Sequence, residues 1–148
     1  MIREKKILLA IVILVFGWLS LNSQINPADR IKGIWLTENK DGKVEISRTG
    51  NTFSGKLIWG NSVLDENGKP KHDVLNPDLK LRTRTLQGMV MLYGLEYEDG
   101  KWQNGKIYNG LTGKSYNVIV TIKGNMLDLR GYIGIQLLGK TTVWQRVE

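Results

Sequence analysis

The chain has 148 residues, 17 of them glycine and none cysteine, with 21 Lys and Arg against 14 Asp and Glu for a net charge of +7. That length holds one domain. The lack of cysteine excludes disulfides, thiolate metal sites, a cysteine nucleophile and a lipid-modified cysteine, so stability must come from core packing. Three of the bases and one of the acids fall in the first 23 residues, and the chain beyond them carries +5. These bases are spread singly, often beside acids, as in Glu38-Asn39-Lys40-Asp41. That pattern describes a solvated surface and not a nucleic-acid face.

Arg3, Lys5 and Lys6 precede an uncharged run, ILLAIVILVFGWL, from Ile7 to Leu19. Thirteen apolar residues behind a basic start match the core of a secretory signal peptide and fall short of the ~20 that span a bilayer. The expectation is a signal peptide over residues 1–23, cleavage near Ser23, and a periplasmic or secreted product without stable membrane insertion. The alternative is an uncleaved N-terminal anchor.

From Ile31 the pattern changes to short alternating segments. Expected strands are 31–38, 43–48, 52–59, 85–98, 101–108, 114–123, 126–132 and 141–147. Between them stand turn signals such as Asp41-Gly42, Gly50-Asn51, Asp99-Gly100 and Gly124-Asn125. Val44 and Ile46 share one face; so do Phe53, Leu57 and Trp59, and again Tyr116, Val118, Val120 and Ile122. Eight short strands at this spacing predict one all-β domain over 24–148, a meander that closes as a barrel or packs as a sandwich.

The interruption is Gly60 to Lys80, too long for a hairpin loop and carrying two of the three prolines. Asn76-Pro77 reads as a cap and first helical residue, predicting one short helical turn near 77–81. The only histidine, His72, stands beside Asp73 without a nucleophile elbow or spaced metal ligands anywhere in the chain. No catalytic, metal or cofactor site is expected. Asp65-Glu66-Asn67-Gly68 reads as a turn. Arg82 and Arg84 alternate into the next expected strand, as do Arg130 and Tyr132. Aimed inward, such arginines hold an anion; otherwise they hold the loop through Asp73 or Asp78.

Gly33-Ile34-Trp35 in the first strand and Trp144-Gln145-Arg146 in the last resemble the lipocalin-like (calycin) arrangement. There a G-x-W tryptophan closes one end of an eight-stranded up-and-down barrel beneath a C-terminal basic residue. The resemblance implies that Gly33, Trp35 and Arg146 close the barrel, with Arg146 stacked on Trp35. Over nearly the whole chain beyond residue 23, GIWLTENKDGKVEI, GKLIWG, DENGKPKHDVLNPDLKLRTR, GKWQNGKIYNGLTGKSY and RGYIGIQLLGKTTVWQRV resemble the bacterial exported family called domain of unknown function 2147. That family's Asp, Asn-Pro-Asp and L-R-x-R pattern is similar to Asp73, Asn76, Pro77, Asp78, Leu81, Arg82 and Arg84. Asn109-Gly110-Leu111 departs from the acidic, proline-containing stretch expected at that hairpin.

Together these readings predict an exported, lipocalin-like, all-β antiparallel barrel that binds a small apolar or anionic ligand at its mouth. The aromatics are expected to line a pocket of a few hundred Å³. The expected ligand-binding residues are Trp59, Asp73, Asn76, Asp78, Arg82, Arg84 and Tyr132. The alternative is an envelope interaction module with a filled barrel.

Overall fold

A computed structural model describes residues 24–148; the expected signal peptide and its cleavage near Ser23 lie outside the described residues. Eight antiparallel strands close in sequence order into one barrel. They are β1 (Gly33–Leu36), β2 (Gly42–Thr49), β3 (Thr52–Gly60), β4 (Val90–Glu98), β5 (Lys101–Asn109), β6 (Lys114–Lys123), β7 (Met126–Tyr132) and β8 (Lys140–Arg146). The last strand returns to the first, pairing Arg146 with Trp35 and Gln145 with Leu36. Closure leaves no open sheet edge.

Period-two alternation fixes the register on which this rests. Val44 and Ile46 point inward while Lys43 and Glu45 point to water. Val118 and Val120 do the same on β6, opposite Gly131 and Leu129 on β7. Four irregularities break the period. Lys43 faces Trp59 while Val44 faces Leu57, so Ile58 is an extra residue in β3. Met91 is a second extra residue, between Val90 facing Lys56 and Leu92 facing Gly55. A third shift falls at Gly94, with φ of 71°, where Phe53 faces Leu95 but Gly55 faces Leu92, and a fourth on β5 at Asn104, with φ of 63°. Each bulge moves the residues beyond it to the opposite face.

The first expected strand is shorter than its sequence suggests. Pro27–Ile31 forms a 3₁₀ turn, because Asn26 caps it by accepting from the Ala28 N–H and Pro27 opens it. This turn plugs one end of the barrel. Ala28 and Ile31 are buried. The Trp102 indole donates to the Ala28 carbonyl at 3.0 Å, and the Trp35 indole to the Ile31 carbonyl at 2.9 Å. Around the plug, Trp35, Phe53, Leu95, Trp102, Val120 and Leu127 fill the lower half with side chains.

Arg146 seals the outside of that plug. Its guanidinium carbon lies 4.2 Å from the centre of the Trp35 ring, and its nitrogens donate to the carbonyls of Lys32 and Arg30. Gly33, at φ 133°, leaves the room: a Cβ there would strike the Arg146 guanidinium and the Glu148 carbonyl.

The opposite end is different. The connections β1–β2, β3–β4, β5–β6 and β7–β8 all gather there. The β3–β4 connection, residues 61–89, forms a strap across the rim. Its 3₁₀ turn covers Leu79–Leu81, within the expected span, but Asp78 caps it in place of Asn76 by accepting from the Lys80 N–H. β4 starts at Val90, five residues later than the alternation suggests, because Thr85 bridges back to His72 and Gly88 donates to the Leu57 carbonyl.

Candidate functional site

Above the filled half, the barrel holds a cavity of about 540 Å³. Its wall is mostly aliphatic and thioether, with Leu57, Met89, Met91, Ile107 and Leu129 among the lining side chains. Trp144 forms part of the boundary and Tyr116 reaches in from β6. The aromatics expected to line it are present as a minority of the wall, Tyr108, Tyr116 and Trp144. Polar groups collect at the rim, where Thr37, Asp41, Ser62, Asn109 and Lys140 face the opening. Thr37 and Asp41 are joined by a 2.6 Å hydrogen bond. Lys140 sits opposite Gly131, which shares the face of Leu129, so its strand position faces the interior.

The strap is held over this cavity by one buried carboxylate. Asp73 is fully buried. Its Oδ1 accepts from the Tyr108 hydroxyl at 2.5 Å. Its Oδ2 accepts from the Asn76 amide at 2.8 Å and from two nitrogens of Arg84, Nε at 2.9 Å and Nη2 at 2.8 Å. Arg84 also lies over the Tyr108 ring, 5.6 Å from its centre, and touches the Met89 sulfur at 3.8 Å. Burial alone would push the Asp73 carboxyl up. The hydrogen bonds from Tyr108, Asn76 and Arg84, with the Arg84 charge, outweigh it and leave the group below the ordinary aspartate value. Burial first, then the bond to Asp73 and its charge, push the Tyr108 phenol up to about 12.

Asn76 ties the strap to itself. Its side-chain oxygen accepts from the Asp78 N–H, and its carbonyl accepts from Arg82 Nε, both at 2.8 Å. Below them, Gly110 gives the strap a seat: a Cβ there would collide with Leu86 and crowd Met89. The Asn109-Gly110-Leu111 hairpin, unusual in its sequence, is therefore where the strap rests.

None of the seven residues expected to hold a ligand lines the cavity. Asp73, Asn76, Arg82 and Arg84 come together, but as the strap's own fastening. Asp78 is exposed and spent on its cap. Alternation groups Trp59 with Phe53 and Leu57, yet the extra residue at Ile58 turns it outward opposite Lys43, leaving it 36% exposed. Tyr132 pairs with Asn117 on the outer face, because its neighbour Gly131 takes the inner one. Arg130, also outward, bonds the carbonyls of Gln136 and Leu137. Asp65 forms the expected turn by accepting from the Asn67 and Lys69 N–H groups. Tyr108, which sequence reasoning missed, carries the fastening from the barrel side. Among the described residues no group of three metal-ligating side chains comes together.

A bacterial protein family matches residues 33–146, from the glycine of the G-x-W strand to the arginine stacked on its tryptophan. The chain belongs to this family, described as an uncharacterized protein conserved in bacteria, DUF2147. This DUF2147 chain is 31% identical to protein HP1028 of the human pathogen Helicobacter pylori, a solved structure described as belonging to the lipocalin family. The two superpose with a TM-score of 0.69 over 80% of this chain and 84% of the other. The DUF2147 barrel is thus lipocalin-like, and no curated protein matches it.

Proposed function

We propose that this protein is exported to the periplasm and there carries a small, mainly apolar molecule in the upper half of its barrel. One observation bears most of the weight: a closed eight-stranded barrel, filled below by aromatic side chains, is empty above, over about 540 Å³ walled by aliphatic and thioether groups. That volume is in the range of small-molecule sites, and lipocalin-like barrels of eight strands commonly hold one small ligand. Methionines on the wall suit a ligand of variable shape. The polar rim, with Lys140 facing inward, suits a ligand whose outer end is polar or anionic. Export is supported by the basic start and thirteen-residue apolar run. A filled-barrel interaction module has less support, because the upper half is not filled.

Displacement of a solvatochromic naphthylamine dye tests the reading. The wild-type protein should take up the dye with a rise in emission, and Gly131→Leu should abolish uptake while the fold is kept. The position faces the cavity, and an added Cβ would meet only the Tyr116 Cβ, at 3.7 Å. Equal uptake by both proteins would refute an internal site. Native mass spectrometry of protein recovered from its own periplasm would then weigh the natural ligand.

A further inference from the structure

The β7–β8 connection presents an apolar tip at the mouth. Its tip carries Ile133, Ile135, Leu137 and Leu138, exposed by 70%, 64%, 82% and 80%. The tip has a defined shape. Gln136–Leu138 forms a 3₁₀ turn, and Arg130 donates to the Gln136 and Leu137 carbonyls at 3.0 and 2.8 Å and to Thr141 Oγ1 at 2.9 Å. Leu79 on the strap and Leu111 on the β5–β6 hairpin add exposed leucines at the same end of the barrel. Cations accompany each of them in sequence: Arg130 and Lys140 beside the tip, Lys80 and Arg82 beside Leu79 with one acid, Asp78, before it, and Lys114 beyond Leu111. The hairpin turns at the plugged end are instead polar, at Gly50-Asn51, Asp99-Gly100 and Gly124-Asn125.

We infer that the mouth is a membrane-docking surface, with the tip 133–138 entering an anionic bilayer. Exposed aliphatic groups held out on a shaped loop gain nothing inside the molecule, and clusters of them mark interaction sites. Charge complementarity selects the occupant. Aliphatic side chains with Lys and Arg close by in the chain match acyl chains beneath anionic headgroups, and long basic side chains can reach back to that headgroup layer. A protein partner would need an apolar socket rimmed by acids, and protein hot spots favour aromatic anchors, which this tip lacks. Leu111 and Lys140 also line the cavity, so docking brings the opening to the lipid. The inference nevertheless stands on the outer surface, independent of what the cavity holds.

The absence of native cysteine makes the test clean. Protein recovered from cells in its natural form would carry one environment-sensitive fluorophore, on Leu137→Cys or, at the plugged end, on Asn51→Cys. With phosphatidylglycerol vesicles the label at 137 should shift to the blue and return as salt is raised. The label at 51 should not move, and phosphatidylcholine vesicles should give a smaller shift. No shift at 137, equal shifts at both positions, or equal shifts on both lipids would overturn the inference. A shift that needs no vesicles and grows with protein concentration would assign the tip to a second copy of the chain, and would overturn it too. Ile135→Ser with Leu138→Ser should lose vesicle binding yet keep dye uptake. Loss of dye uptake by the wild-type protein would sink the ligand reading alone.

Discussion

The hydroxyl of Tyr108, on the fifth strand, donates a 2.5 Å hydrogen bond to Oδ1 of Asp73, 35 residues earlier in the strap. It is the bond by which the barrel wall holds the strap's carboxylate, while Asn76 and Arg84 hold it from within the strap. Removing the phenol oxygen leaves a buried charge one donor short. Tyr108→Phe should therefore destabilise by about 2 kcal/mol, as expected for a hydrogen bond to a charged group. Asp73→Ala should cost roughly 3 kcal/mol, since Arg84 is then left partly buried without its partner. Urea unfolding gives the loss. Faster proteolytic cleavage within 61–89 would show that it falls on the strap.

The same pair makes stability depend on pH at both extremes. Tyr108 is raised from 10.0 to about 12, so the folded state favours its neutral form. Its contribution is complete below pH 10 and is lost as pH rises through about 12. Asp73 is depressed, so its contribution is complete above the ordinary aspartate value and is lost as pH falls through its lower folded value. Alkaline titration followed by tyrosinate absorbance should show a late step near pH 12 that Tyr108→Phe removes. A titration curve unchanged by that substitution would contradict the buried bond.

Much of the barrel was legible because alternation and Gly-containing turns are local signals. Val44, Ile46, Val118 and Val120 face the interior as their spacing requires. The site was less legible for a physical reason. Arg82 and Arg84 alternate toward the next expected strand, but the backbone there is spent on a 3₁₀ turn and a bridge to His72. One inserted residue at Ile58 inverted Trp59, and bulges leave little trace in a single sequence. Tyr108 lies beyond the shift at Asn104, so alternation counted from Trp102 does not place it, and its partner Asp73 reaches it only through the strap. The resemblance located the cluster of Asp73, Asn76, Arg82 and Arg84, yet only the fold distinguishes a fastening from a ligand site.

At the plugged end, Arg146 combines a stacking contact with Trp35 and two carbonyl bonds on the 3₁₀ turn. Arg146→Ala should lower stability by about 2 kcal/mol, within the range of one cation–π contact together with the lost carbonyl bonds. Arg146→Lys should recover little of it, because a single ammonium cannot lie flat on the indole and span two carbonyls. Thermal unfolding of the three proteins decides this. Full recovery by lysine would reduce the interaction to charge alone.

Two interior glycines should respond in opposite ways, because one lies in the filled half of the barrel and the other in the open half. A Cβ at Gly105 would come within 2.7 Å of the Leu95 side chain and 3.0 Å of the Tyr93 carbonyl, with no slack behind them. Gly105→Ala should cost ~1–3 kcal/mol, the usual price of overpacking. At Gly131 the added carbon makes only an ordinary contact, so Gly131→Ala should be nearly neutral, and removing a glycine from a strand can offset any residual cost. The position lines the cavity beside Lys140 on the neighbouring strand, so larger side chains there should close the cavity progressively. Chemical denaturation of the two alanine variants, alongside dye uptake across Gly131→Ala, Gly131→Val and Gly131→Leu, tests both halves together. Similar destabilisation by the two alanine substitutions would mean that the upper barrel is as tightly filled as the lower, and the ligand chamber would have to be abandoned.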